Sequence, residues 1–443
     1  MRVGFAREDL TPRVGVELCG FGPYLHRYAI GVRDRLWARA IAIEQDGQAL
    51  VLVSCDLIGV GLALTRKVRE LVAAESPLPA EAVMVHCTHT HSGPASDRIV
   101  GWGVPDEPYL EVLPYRIARA CLGALAALTE ASLSHARVPC QGVARNREYD
   151  PDVPSLEQAL REDWRPSRPE LTDTACDVLR VDAGGKLLGF ASSFGCHPVV
   201  CCEQTRYLHG DFVGVATGSL EKEHPGAVGL FLQGAQGDIN TCVAHQPEPE
   251  SLQALDVIAA RYARALRAGL EQAQPLAVEA VRCARREVTF DRVPLDAEQL
   301  QAWLAEQEAI FAAPGAGDHD MQVRMAAVCA HTLRALLARL QAGDPIALPT
   351  ELRGFRLGPL ALLGTPLEVF RAVKEEVLAQ ARSPLPLVLG LTNDALGYAP
   401  DRETATRGGY AAQQVPIMMG SLPFRDIHGQ LVSELLALEA QLW

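Results

Sequence analysis

Three short apolar runs in this chain stop abruptly at side chains that do chemistry, and this limits the fold more than any other feature. Residues 82–85 lead into His86-Cys87-Thr88-His89-Thr90-His91-Ser92-Gly93-Pro94. Residues 187–194 deliver Gly195-Cys196-His197-Pro198, and 227–232 end in Gln233-Gly234-Ala235-Gln236-Gly237-Asp238-Ile239-Asn240. Apolar runs of this length read as buried strands, and function often sits where a rigid strand gives way to a loop. In α/β sheets the strand ends converge on the ligand site. The expected fold is therefore α/β, with mixed β-sheets flanked by helices and a site at the strand ends. In an extended chain residues two apart share a face, so His89 and His91 are expected to point the same way. That suits a divalent metal, or a metal with a catalytic partner. The bland alternative is a polar strand end with solvated histidines.

Composition narrows the function. The 443 residues carry 41 Lys+Arg against 54 Asp+Glu, a formal net charge of −13. An acidic chain without a basic block is a poor partner for nucleic acid or an anionic membrane surface. Its apolar runs are too short for a membrane span, so no stable membrane insertion is expected. The N-terminus, Met1-Arg2-Val3-Gly4-Phe5-Ala6-Arg7-Glu8-Asp9, has charges where a signal peptide needs an apolar core; a cytoplasmic protein is expected. The 12 cysteines form no Cys-x-x-Cys pair and sit mostly in apolar segments, so packing is their expected role. This includes the vicinal Cys201-Cys202.

In chain order, residues 38–44 and 49–55 flank a hairpin signal, Gln45-Asp46-Gly47-Gln48, with Asp56 directly after as a helix cap or a histidine partner. Residues 62–74 read as a helix, as do 109–128, whose apolar positions step by three and four. A strand is expected over 138–144, ending at Arg145-Asn146-Arg147. The proline-rich stretch 151–169 reads as a surface excursion. Residues 178–181 and 187–194 flank a second hairpin signal. Residues 250–273 read as a helix, 278–290 as a strand, and 297–341 as an α-rich insertion interrupted at 313–317. Residues 355–357 and 360–363 suggest a last hairpin, 385–391 a strand, 400–426 a loop-rich stretch and 431–442 a terminal helix. No linker-like break divides the chain, so 1–443 is expected to be a single domain.

Glu368 and Tyr398 add two further candidates. Each has an ordinary explanation. Thr365-x-x-Glu368 with Pro366 matches a capping box opening a helix. Tyr398 can be a buried aromatic. His197 can be a satisfied core histidine, and Asp238 can brace its glycine loop.

At these residues the chain resembles a known family. Thr88-His89-Thr90-His91-Ser92-Gly93-Pro94, Gly195-Cys196-His197-Pro198, Gly210-Asp211-Phe212, Gly237-Asp238-Ile239-Asn240 and Gly397-Tyr398 resemble, in order and rough spacing, the catalytic domain of the neutral/alkaline non-lysosomal ceramidases. The resemblance implies one zinc ion held by His89, His197, Glu368 and Tyr398. It implies that His91 lies beside the metal and handles charge or protons, that Tyr410 is a further active-site tyrosine, and that Arg147 faces the substrate. His86 falls back to a structural role. One departure matters: Asn240 stands where the family's loop carries a serine thought to be catalytic. An amide is no nucleophile, but it can donate to a substrate carbonyl. The expectation is a ceramidase-like, zinc-dependent amide hydrolase in which water attacks directly, acting on a soluble small-molecule amide rather than ceramide. The alternatives are an ester or lactone hydrolase using the same site, and a non-catalytic metal-binding scaffold.

Overall fold

Three sheets are built on one plan in the computed structural model, which describes residues 1–23, 26–97, 99–150 and 152–443. Each contains an antiparallel hairpin with a further strand laid parallel against its second arm. In the first, Trp37–Gln45 and Gln48–Cys55 form the hairpin and Val83–Cys87 is the parallel strand. Arg2–Asp9 and Thr129–Glu130 extend the other side. In the second, Ala175–Ala183 and Lys186–Phe194 receive Val228–Gln233. In the third, Thr350–Leu357 and Leu360–Gly364 receive Leu385–Leu389. The hairpin turns follow the sequence signals: Asp46 and Gly47 both take positive φ, as do Gly184 and Gly185.

The sheets share a core. Val51, Val53, Val83 and Val85 of the first lie in one buried cluster with Leu230 and Leu232 of the second and Phe355, Leu362 and Leu389 of the third. Helix Glu107–Ala126 covers the first sheet, Glu248–Gln272 the second and Ile427–Ala440 the third. Of the stepped apolar positions Leu110, Leu113, Ile117, Cys121, Leu125 and Leu128, the first of these helices buries Leu113, Ile117 and Cys121, and it buries Tyr109 and Ala124 with them. Helices Ala297–Phe311 and Met321–Ala342 occupy the α-rich stretch. They pack on each other, and the second also packs against Val415–Met418. No helix of the described residues is long and apolar enough to cross a membrane. All 12 cysteines are free, and all but Cys283 are buried.

The structure corrects several expectations. The strand expected over 138–144 is two strands, Ser132–Pro139 and Ala144–Asn146, separated where Gly142 turns at φ 76°. The second pairs with Ile239–Thr241. No capping box opens a helix at Thr365. Glu368–Val369 is instead a short strand parallel to Tyr398–Ala399, and the helix starts at Arg371. The Glu368 amide, the donor that a cap at Thr365 would have served, donates to Gly397, and the Phe370 amide donates to Ala399, so strand pairing takes the place of the cap. Residues 400–426 are not simply loop: Asp401 caps Arg402–Arg407, and the π-helical turn Tyr410–Gln414 and helix Val415–Met418 follow. Asp56 neither caps a helix nor touches a histidine; it pairs with Arg39 at 2.9 Å and accepts from the Trp37 amide. Pro151 lies outside the described residues, and Ser155 nearby caps a helical turn, Leu156–Leu160.

Candidate metal centre

The site lies past the C-terminal ends of the parallel strand pairs. Val83–Cys87 runs into His89 and His91, Lys186–Phe194 into His197, Val228–Gln233 into Asp238 and Asn240, Leu360–Gly364 into Glu368, and Leu385–Leu389 into Tyr398.

His89 and His91 do share a direction, but not by strand geometry. The strand ends at Cys87, and His89 takes a left-handed φ of 69°. Its amide donates to Leu57 and its Nδ1 lies 2.6 Å from the Ile58 carbonyl. His197 is held likewise, its Nδ1 2.7 Å from the Gln236 carbonyl and 3.1 Å from that of Ile239. A carbonyl only accepts, so each Nδ1 carries the proton and each Nε2 presents a lone pair. Those lone pairs converge on one carboxylate oxygen: Glu368 Oε2 is 2.8 Å from His197 Nε2 and 3.3 Å from His89 Nε2. Burial favours a neutral Glu368, whereas a proton on the facing rings of His89 and His197 holds its carboxyl well below the usual range; without that proton three acceptors face one another. Burial lowers His197 to about 4, aided by the Arg147 charge. Three acceptors gathered in a buried space are stable around a cation.

His91 completes the group; His89, His91 and His197 can bring ligand atoms within 4.8 Å of one another. Both His91 ring nitrogens are buried and have no hydrogen-bond partner. Burial, with His89 and His197 beside it, keeps the ring neutral. Tyr398 is backbone-paired to Glu368, and its ring centroid is 6.2 Å from that of His197 and 6.0 Å from that of Tyr410. Tyr410 is 42% exposed and stands at the mouth of the cleft. The hydroxyl end of Tyr410 is turned inward although the residue is exposed, and burial raises both the Tyr398 and Tyr410 phenols, so both stay protonated in the absence of a metal.

The cleft itself is narrow, about 90 Å³, with His89, His91, Glu368, Tyr398 and Tyr410 at one end and a mainly apolar wall that also includes the Asp97 carboxylate. His197 sits behind Glu368. Arg147 and Asn240 do not line the cleft. Arg147 donates to the Gly237 carbonyl at 2.7 Å and to Asn240 Oδ1 at 3.4 Å, with its guanidinium 5.2 Å from the Tyr398 ring centre. His86 is fully buried; its Nε2 accepts from the Gln233 amide at 2.9 Å and its Nδ1 meets Ser54 Oγ at 3.1 Å. That is a structural histidine.

The sequence model of the neutral/alkaline non-lysosomal ceramidases, N-terminal part, matches residues 1–246, more than half of the 443. This chain belongs to that family. Hydrolysis of C–N amide bonds is the family's chemistry. The ceramidase fold extends beyond the matched part. The neutral ceramidase of Pseudomonas aeruginosa superposes with a TM-score of 0.75 at 21% identity, covering 100% of this chain and 75% of that one. A ceramidase complexed with C2 superposes with a TM-score of 0.76, at the same identity and coverage. Among proteins of curated function none matches the sequence.

Around this ceramidase-family centre the structure adds residues that sequence reasoning missed. Gln233 Nε2 donates to the Thr88 and Cys196 carbonyls, both at 3.1 Å, tying the two histidine turns together. Arg27, 4% exposed, donates to five backbone carbonyls, among them His91 at 2.8 Å, and stacks on Phe21, which packs against the His91 ring. The polar end of an apolar run was a usable signal for Gln233. Arg27 gave none, because its partners are main-chain atoms.

Proposed function

We propose that this protein is a zinc-dependent amide hydrolase in which His89, His197, Glu368 and Tyr398 hold one metal ion. One observation carries the reading: two histidines with their tautomers set by backbone carbonyls aim Nε2 lone pairs at the same Glu368 oxygen, at 2.8 and 3.3 Å. Nitrogen and oxygen donors of this kind suit zinc. When bound, the ion supplies a Lewis acid and lowers the pKa of a water to roughly 7.

The remaining work falls to the chain. His91, neutral and unpartnered, takes the proton as water oxygen bonds to the amide carbon, and returns it to the nitrogen as the C–N bond breaks. Tyr410, at the mouth, donates a hydrogen bond to the carbonyl oxygen or the leaving nitrogen. Arg147 stays charged: burial opposes its charge, but Tyr398 and Glu368 more than restore it. It steadies the Tyr398 ring and the Gly237 turn. With Asn240 in place of a hydroxyl, the loop offers no serine for an acyl-enzyme. Its amide oxygen accepts from Arg147, so Asn240 acts as a positioning residue.

The test is metal analysis with activity on N-acyl amides. The expected result is about one zinc per chain, loss of activity on chelation, and loss of both metal and activity in His197→Ala. A folded His197→Ala protein that keeps its zinc and its turnover would sink the proposal.

A further inference from the structure

We infer that the amide cleaved here carries a short aliphatic acyl group of two to about four carbons, with its amine portion left in water. The inference rests on the amidase reading above and goes on to name the substrate class. Its observation is the cleft: about 90 Å³, lined among the described residues by the candidate metal-centre residues at one end, by Ile99, Trp102, Leu391, Val415, Met418 and Met419 over much of the rest, and by the one further carboxylate, Asp97. An apolar cavity of about 150 Å³ is filled by benzene, and pockets for drug-sized ligands run to ~300–1,000 Å³. By that measure this cleft accepts roughly three or four carbons.

The wall is held from behind. Trp102 lies against Gly22, where an added Cβ would sit 2.2 Å from the indole, and packs into the cluster containing Met418 and Val415. Those two residues are themselves buried, and their helix rests on Met321–Ala342. A longer chain would have to displace this packed wall.

The orientation follows from the products. Amide hydrolysis gives a carboxylate and an amine that takes up a proton. An ammonium placed against Trp102, Val415, Met418 and Met419, rather than beside the Asp97 carboxylate, would be strongly unfavourable. The acyl methylenes belong against those four side chains, and the amine leaves past Tyr410, the exposed residue of the cleft.

The experiment has a turnover arm and a binding arm, both on the zinc-loaded full chain. Anilides of acetate, butyrate, octanoate and palmitate are compared by kcat/KM; acetate, butyrate and octanoate are titrated calorimetrically. The expected result is at least ~30-fold lower kcat/KM for octanoyl than for butyryl, with binding that tightens from acetate to butyrate and weakens at octanoate. Trp102→Ala and Met419→Ala should each raise the octanoyl-to-butyryl ratio by ~10-fold or more; the second, a partly exposed flexible side chain, guards against a folding failure of the first. Palmitoyl anilide cleaved as well as acetyl, affinity that keeps rising to octanoate, absence of carboxylate binding, or an unmoved ratio in both variants would overturn the inference. If no amide is cleaved but the carboxylate series still breaks off after butyrate, the amidase reading fails and the size limit stands.

Discussion

At the scale of single residues the centre depends on backbone conformations that few side chains tolerate. His89 sits at φ 69° and Leu391, on the cleft wall, at φ 48°. Such strain costs of order 1–3 kcal/mol per residue and persists where the surroundings over-determine it. Gly20 is a sharper case: it turns at φ 123°, and a Cβ there would lie 2.6 Å from His91 Cγ. Gly20→Ala should push the His91 ring aside and lower kcat by ~30-fold or more, with zinc content unchanged because His91 is not among the proposed ligands. Steady-state kinetics beside metal analysis check this; a variant with wild-type kcat would show that the position of His91 does not matter. These residues also mark what the sequence revealed. The histidine cluster was visible because three imidazoles stand within six positions, yet the common direction of His89 and His91 comes from a left-handed residue rather than a shared strand face. Glu368 was a candidate from the sequence, but only the family resemblance lifted it above the capping reading, because locally Thr365-x-x-Glu368 is a complete capping signal. Pairing with Tyr398, thirty residues on, overrides it.

At the scale of elements, the strand pattern was the most legible part of the chain. The hairpins and the apolar strands appear near their expected positions, since alternation and turn residues are local signals. What local signals do not contain is the parallel addition of a third strand to each hairpin, which sets five strand ends side by side. Asp238 shows how two of those ends are joined. Its carboxylate accepts from the Arg371 amide at 2.7 Å, at the start of helix Arg371–Gln380, and from Asn146 Nδ2 at 2.8 Å. Beside it the Gly237 amide donates to the Val369 carbonyl, next to Glu368, and a Cβ on Gly237 would lie 2.5 Å from the Glu368 carbonyl oxygen. The Asn146 amide cannot flip, because its oxygen accepts from the Glu148 and Tyr149 amides. Asp238→Asn therefore satisfies the Arg371 amide but sets NH₂ against NH₂ at Asn146. An unmade buried hydrogen bond of this kind costs ~1–3 kcal/mol. The expected outcome is a lower Tm and weaker zinc binding, since Glu368 shares the displaced turn. Asp238→Ala, which removes the donor conflict but leaves both donors unpaired, should be at least as destabilised. Thermal melts and competitive zinc titration of both variants decide the matter, and an Asp238→Asn protein as stable as wild type would refute it.

At the scale of the whole molecule, the fold buries ionisable groups outside the proposed ligand set, and these make stability depend on pH. Burial lowers His86 to about 3. Burial, with Arg33 and Arg27 nearby, lowers His209 to about 3. Both start from an ordinary value near 6.5. The folded protein thus refuses protons that the unfolded chain accepts, so this contribution is complete above about 6.5 and is lost progressively as the pH falls towards 3. Asp211 and Asp238 run the other way. Burial outweighs their hydrogen bonds and raises each to about 6. Their folded forms hold protons that the unfolded chain has released, which adds stability as the pH falls from about 6 through the normal carboxylate range. Between pH 7 and 6 the histidines act almost alone; below 6 the aspartates offset part of their loss. Metal-stripped protein should therefore melt at a lower temperature at pH 5 than at pH 7, with the steepest change near the histidine range. His209→Asn makes the test specific. Its amide oxygen can keep the hydrogen bond that His209 Nδ1 accepts from the Asp211 amide at 3.0 Å, while removing one titrating ring. Its Tm should change less between pH 7 and 5 than that of the wild type. An equal or higher wild-type Tm at pH 5, or an identical slope in the variant, would show that these buried rings do not govern the acid response.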